Sequence, residues 1–208
     1  MWVANRAFLD NDLYNVSVAH GWLFPSVAPE FFLGPALNLS IPEAYTYFKE
    51  KLAIFPQLGV KGYKIDRGEK GEMPVRVRDY QMDLFIQLCY ETMEELWEES
   101  NFYDFARSAV NRSRARTAVW NGDSHASANF SGLQNTVASG IRAGLFGSSQ
   151  WGSDTGGNIR GLDDPVPDVW ARWMWFSALS PVYEIMIGTN HTPRHPPCNS
   201  DLIYGRRS

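Results

Sequence analysis

Two aspartates, Asp66 and Asp123, have the surroundings that chemistry would ask of a pair of carboxyl groups. Asp66 follows the short alternating run Val60–Ile65 and is succeeded by the glycine-rich stretch Arg67-Gly-Glu-Lys-Gly-Glu72, so the sequence aims an acid out of a strand end and into a loop. Asp123 repeats the arrangement within Ala118-Val-Trp-Asn-Gly-Asp-Ser124, where a β-prone run breaks at Gly122. Cleavage of a glycosidic bond is the simplest reaction served by two carboxyl groups in different environments, one ionised and one holding a proton. The alternative for either residue is a solvated carboxylate at a strand end.

The elements that must position these acids alternate between strand and helix. Trp2–Phe8 is a predicted strand, and residues 10–40 a loop rich in aromatics, proline and glycine. Ser40 is placed to cap a helix with Pro42 near its start, Glu43 completing a capping box, and an apolar face of Ala44, Tyr45, Phe48, Leu52 and Phe55. A second helix, Asp79–Glu99, carries Met82, Phe85, Ile86, Cys89, Met93, Leu96 and Trp97 at helical spacing. Short strands follow at Phe102–Ala106 and Thr117–Trp120, then a helix over Phe130–Leu145 with Leu133, Val137, Ile141 and Leu145 inward. Phe146–Ser153 is a strand, Asp168–Ser177 a helix and Pro181–Ile187 a strand. Strand–helix alternation predicts parallel βα units, and polar residues after the strands predict an α/β fold of the (β/α)8 barrel type with its site at the strand C-termini. About six units are present where a closed barrel needs eight. The expectation is therefore a partial catalytic domain over residues 1–208, lacking the first strands.

The motifs resemble those of glycoside hydrolase family 31, the retaining α-glycosidases. Lys64-Ile-Asp-Arg-Gly-Glu69 is similar to that family's nucleophile motif, and Phe105-Ala-Arg-Ser-Ala109 followed by Trp120-Asn-Gly-Asp123 to its acid/base segment. Gly152-Ser-Asp-Thr-Gly-Gly157 is similar to a later strand end. Together, in the family's order and with similar spacing, these elements cover most of the chain. The resemblance implies a retaining double displacement with Asp66 as nucleophile and Asp123 as acid/base, and an absent N-terminal β-sandwich and C-terminal β domains. It also implies a carbohydrate substrate with an α-linked non-reducing sugar, for which glucose, xylose and galactose all stand open.

Carried over residue by residue, the resemblance makes Arg107 an arginine that bonds sugar hydroxyls and neighbours the acid/base. It sets Lys64 beside the nucleophile, has Trp2 and Trp120 wall the sugar pocket, and has Asp154 support it. The plainer alternatives are a structural ion pair for Arg107, a strand lysine with its head in water for Lys64, core aromatics, and a turn cap for Asp154. Two positions depart from the family pattern. Met186-Ile-Gly188 stands where a histidine and glycine are usual, leaving His191 as the candidate substitute, and Asn158 replaces an aromatic after the double glycine.

Composition excludes other classes. With 44% hydrophobic and 20% charged residues the 208-residue chain can bury a sizeable core and reads as one soluble globular unit. A net charge of −4 and a pI of about 5.6 leave no electrostatic footprint for nucleic acid, the cluster Arg112, Arg114, Arg116 notwithstanding. The longest apolar run, Trp173–Ile187, is interrupted by Ser177, Pro181 and Glu184 and is no membrane span; the start has no signal-peptide form. Secreted and cytoplasmic locations both stay open, because five Asn-x-Ser/Thr sequons, at Asn15, Asn38, Asn111, Asn129 and Asn190, suit secretion while two flank the expected site. Cys89 and Cys198 are expected as free thiols. The scattered His20, His125, His191 and His195 predict neither a metal nor another cofactor. Ser153-Asp-Thr-Gly156 also matches the aspartic-protease tripeptide, but that motif belongs in an all-β fold, and the helical periodicities exclude it. A retaining α-transglycosylase, or a non-catalytic carbohydrate-binding or inactive fragment, are the remaining alternatives.

Overall fold

The structure, a computed structural model, describes residues 1–7, 11–25, 34–66, 73–98, 101–109, 111–159 and 167–185. Among the described residues six short strands form one sheet in sequence order: β1 (Trp2–Ala4), β2 (Lys64–Asp66), β3 (Phe105–Ala106), β4 (Ala118–Trp120), β5 (Trp151–Asp154) and β6 (Val182–Glu184). The β1–β2, β2–β3, β3–β4 and β5–β6 ladders are parallel. Between strands stand the helices α1 (Asp12–Ala19), α2 (Pro42–Leu52), α3 (Ile54–Gln57), α4 (Arg78–Glu94), α5 (Leu133–Leu145) and α6 (Pro167–Ala178). Parallel strands in sequence order with helical crossovers are the architecture of an incomplete (β/α)8 barrel. The backbone divides into two compact units, residues 1–119 and 120–208.

In the first unit the core lies between β1–β2 and helices α2 and α4. Val3, Ile65, Phe48, Phe85, Ile86, Leu88, Cys89 and Met93 are all buried there, and the rings of Phe48 and Phe85 stack at 5.7 Å. Helix α2 buries Ala44, Phe48 and Leu52, a spacing of four that places them in one stripe. The capping box expected at Ser40 and Glu43 does not form. Ile41 is the N-cap, without a side-chain bond, because the Ser40 hydroxyl instead accepts from Gln81 Nε2 at 2.7 Å. Gln81, buried on α4, also accepts from the Leu39 N–H at 2.9 Å and so staples this segment to the core. The helices are further tied by Glu91, which accepts from the Tyr45 hydroxyl at 3.0 Å and pairs with Lys49 at 3.5 Å.

The region expected to be loop contains α1, whose start is capped by Asn11 Oδ1 accepting from the Tyr14 N–H at 2.8 Å. Its sequence carries no continuous apolar stripe, and Ser17 is its buried residue, so periodicity could not reveal it. The first strand is shorter than predicted because the chain turns after Ala4, with the Arg6 N–H bonding back to the Ala4 carbonyl at 2.9 Å. Asn5 then replaces a strand partner by bonding both the N–H and the carbonyl of Leu37, each at 3.1 Å.

In the second unit β5 is buried throughout. Its predicted start at Phe146 is late in fact: Gly147, at φ 80°, ends α5 in a left-handed turn, and the strand begins at Trp151. Helix α5 also differs from expectation in its facing. Ile141 and Leu145 are 64% and 81% exposed, whereas Thr136 and Gly140 form the inward row. Gly140 lies so close to the Trp151 ring that an added Cβ would meet it at 2.9 Å; small residues, not the apolar ones, make this contact possible. Trp151 meets Phe176 of α6 edge-on at 6.1 Å. Among the described residues no helix is long and apolar enough to cross a membrane, and Cys89 is a buried free thiol.

Candidate active site

Strand β2 ends on Asp66, with Ile65 locked into the core beside it, so the carboxylate is carried on a rigid element. Asp66 is itself only 5% exposed. In the β1–β2 register Trp2 sits opposite Lys64, and the Trp2 indole N–H reaches along the sheet to donate to Asp66 Oδ2 at 3.1 Å. From the next strand the backbone N–H of Arg107 bonds the Ile65 carbonyl at 2.9 Å, which places its guanidinium beside the acid. Its Nε lies 2.6 Å from Asp66 Oδ1, and both side chains are over nine-tenths buried. An indole N–H and a guanidinium, brought in from the two sides of β2, thus bracket the carboxylate. Lys64 points its ammonium over the Phe105 ring at 5.7 Å.

Trp2, expected as a pocket wall, is 48% exposed and serves as a hydrogen-bond donor to Asp66. Arg107, expected beside Asp123, makes its described ion pair with Asp66.

The second unit holds Asp123 on the turn after β4. Gly122 takes φ 76°, open to glycine, and reverses the chain there. Beneath the turn Asn121 Nδ2 donates to Ser124 and to Thr136 Oγ1, the latter at 3.1 Å, and Thr136 donates on to the Gly132 carbonyl at 3.1 Å. These polar groups fasten the acid-bearing turn to the start of α5. Asp123 Oδ1 accepts from Asn158 Nδ2 at 2.8 Å. Sequence reasoning marked Asn158 only as a departure from the family pattern; its position just past the double glycine was the available signal.

Trp120 is buried as the last residue of β4, and Asp154, 1% exposed, is the last residue of β5. Both stand at the carboxyl ends of their strands, as the fold class requires of site residues. His191, with Glu69, Glu72 and the tail carrying Cys198, lies outside the described residues. Among those that are described, no group of three or more His, Cys, Asp or Glu is placed to hold a metal ion.

One buried acid went unnoticed in the sequence. Asp104, just before β3 and 2% exposed, accepts from the Tyr63 N–H at 2.8 Å. Burial pushes its carboxyl up to about 7, against smaller opposing effects of the Tyr63 bond and the chain's amino terminus. It lies at the amino end of its strand, the end that in this fold serves stability.

Residues 3–201 match the family described as "Glycosyl hydrolases family 31 TIM-barrel domain". An alpha-xylosidase of Emericella nidulans is 29% identical over 154 residues, 69% of this chain and 19% of that protein. A 1,6-alpha-glucosyltransferase of Sporosarcina globispora is 33% identical over 114 residues, 50% of this chain and 8% of that protein. The chain thus spans less than a fifth of the length of either relative. The crystal structure of a family 31 alpha-xylosidase from a soil metagenome, complexed with xylose, superimposes with a TM-score of 0.74 at 21% identity, covering 88% of this chain and 30% of that one. With the match running through nearly the whole sequence and the parallel sheet in the order that fold demands, the chain belongs to glycoside hydrolase family 31 and is part of its TIM-barrel domain.

Proposed function

We propose that the protein cleaves α-glycosidic bonds at a non-reducing sugar, with retention of configuration. The observation that carries this reading is the state of Asp66: a nearly buried carboxylate at the end of a barrel strand, held at one oxygen by Trp2 and at the other by Arg107. A nucleophile needs that kind of fixed orientation toward an anomeric carbon. In the first step an Asp66 oxygen forms a bond to C1 as the C1–O glycosidic bond breaks, and the departing oxygen takes a proton from Asp123. In the second, Asp123 takes a proton from water, whose oxygen bonds C1 and releases the Asp66 carboxylate. Arg107, Lys64, Trp2, Trp120, Asp154 and His191 form the rest of the proposed sugar site, with no metal or other cofactor.

Similarity to the alpha-xylosidases favours an α-xyloside as the first substrate to try, with an α-glucoside beside it. Similarity to a glucosyltransferase supports a second reading, in which a sugar hydroxyl replaces water in the second step. The test is turnover of aryl α-xylosides and α-glucosides by the protein in its natural full chain, followed by NMR of the first-formed anomer. Retention, with loss of about 10⁴-fold or more in Asp66→Ala, is expected for a removed nucleophile. Inversion, or an Asp66→Ala protein as active as the wild type, rules the assignment out. Oligosaccharide products that grow with added acceptor sugar distinguish transfer from hydrolysis.

A further inference from the structure

The turn bearing Asp123 does not stand alone in its unit: the chain after β5 is clamped to it. The N–H groups of Asn158 and Ile159 both bond the Ser124 carbonyl, at 2.7 and 2.9 Å, and the Ala126 N–H bonds the Ile159 carbonyl at 3.0 Å. His125 and Ile159 make an isolated parallel bridge. Gly156 and Gly157, at φ 86° and 74°, bring the backbone in. A Cβ on Gly157 would meet the His125 carbonyl carbon and oxygen at 2.5 Å, so the approach is possible with glycine alone. The clamp delivers one side chain to the acid, Asn158, whose Nδ2 is 2.8 Å from Asp123 Oδ1.

We propose that Asn158 is a positioning residue for Asp123: its amide fixes the direction in which the carboxyl presents its proton-carrying oxygen. This rests on the reading of Asp123 as the acid/base. The Asn158 NH₂ group donates to Oδ1 at 2.8 Å, and an oxygen that accepts such a bond is disfavoured as the proton carrier, so the amide directs the proton to Oδ2. The geometry matters only when a proton must move. It matters to the first step in proportion to the basicity of the leaving group, and to the second step because Asp123 must then take a proton from water. A phenylalanine ring at this position would offer no donor.

The experiment compares kcat/KM for phenyl and 2,4-dinitrophenyl α-D-xylosides and α-D-glucosides in wild type, Asp123→Ala, Asn158→Ala and the isosteric Asn158→Asp, each checked by thermal melting. Dinitrophenolate leaves without a proton, so Asp123→Ala should lose heavily on the phenyl glycoside and little on the dinitrophenyl one. Its slow second step should be accelerated by azide, giving the glycosyl azide. Both Asn158 variants should show the same selectivity in weaker form, about tenfold lower on the phenyl glycoside and under about twofold lower on the dinitrophenyl one, the size expected for one hydrogen bond to a charged group. Equal losses on both substrates would assign Asn158 a merely structural role and overturn the inference. So would wild-type behaviour on both, while Asp123→Ala still showed its signature. If Asp123→Ala shows neither the leaving-group selectivity nor the azide effect, the acid/base assignment itself falls and this inference with it. The isosteric aspartate keeps the test open should the alanine variant fail to fold.

Discussion

Arg107 Nε lies 2.6 Å from Asp66 Oδ1, in a pair whose members are each less than one-tenth exposed. Such a pair is strongly asymmetric: its net worth is small against an apolar replacement, but removing one partner strands a buried charge. Arg107→Ala is therefore expected to destabilise the protein by about 3–5 kcal/mol. It should lower kcat/KM on an aryl α-glycoside by about 10²–10³-fold, the scale for losing an oriented charged donor. Arg107→Lys should restore little, since a compact ammonium on a flexible stem does not reproduce the planar guanidinium held beside Oδ1. Denaturant melts and steady-state kinetics measure the two effects separately.

Trp2 tests the second oxygen. Trp2→Phe keeps an aromatic face and removes the N–H that donates to Asp66 Oδ2 at 3.1 Å. A loss of about 1–2 kcal/mol in transition-state stabilisation, roughly five- to thirtyfold in kcat/KM, is expected for one bond to a charged acceptor. Trp2→Ala should cost more, by removing the apolar surface as well. Kinetics of the two variants side by side separates the donor from the ring.

Asp104 makes stability depend on pH. Its folded carboxyl, raised to about 7 by burial, binds a proton more tightly than an unfolded aspartate does. The folded state therefore holds more protons than the unfolded one between about pH 4 and 7, and stability falls as pH rises through that window. Asp104→Asn keeps the acceptor for the Tyr63 N–H and has nothing to titrate. Melting curves from pH 4 to 8 should show a decline in the wild type that the variant lacks in part. About 1 kcal/mol shifts the midpoint by 2–4 °C for a chain of this size.

Two glycines should respond oppositely to the same substitution. Gly156 takes φ 86°, and a Cβ there would come within 1.9 Å of the Trp170 ring, so Gly156→Ala combines backbone strain with a clash against a buried indole. A loss of about 2–4 kcal/mol is expected. Gly144, in the last turn of α5, has nothing within 4 Å of the Cβ position. Gly144→Ala should stabilise by about 0.5–1 kcal/mol through helix propensity and a less mobile unfolded chain. Chemical denaturation of both variants checks the contrast.

Much of the fold could be read from local pattern because the relevant forces act locally. Helices α2 and α4 announce themselves in apolar residues three and four apart, and the short β-prone run before Asp123 breaks at Gly122, whose φ is 76°. The placing of Asp66 at a strand end and of Asp123 just beyond one was legible for the same reason, since chain connectivity alone fixes it. Where the reading failed, a distant group had intervened. Ser40 was lost as a cap to Gln81, an acceptor taken by a residue 41 positions away. The apolar Ile141 and Leu145 lie outward against the helical periodicity, while Gly140, one of three glycines over residues 130–145 that suggest close packing on the sheet, meets Trp151.

By itself, then, the order of residues determined the strand–helix alternation and the family to which the chain belongs, both properties of spacing along the backbone. Tertiary structure alone decided how the two acids are held: Trp2 and Arg107 on either oxygen of Asp66, Asn158 on Asp123. The physical reason is range. A hydrogen bond is specified within tenths of an ångström, and a separation of 64 positions from Trp2 to Asp66, or of 35 from Asp123 to Asn158, carries no local signal that such an approach will occur.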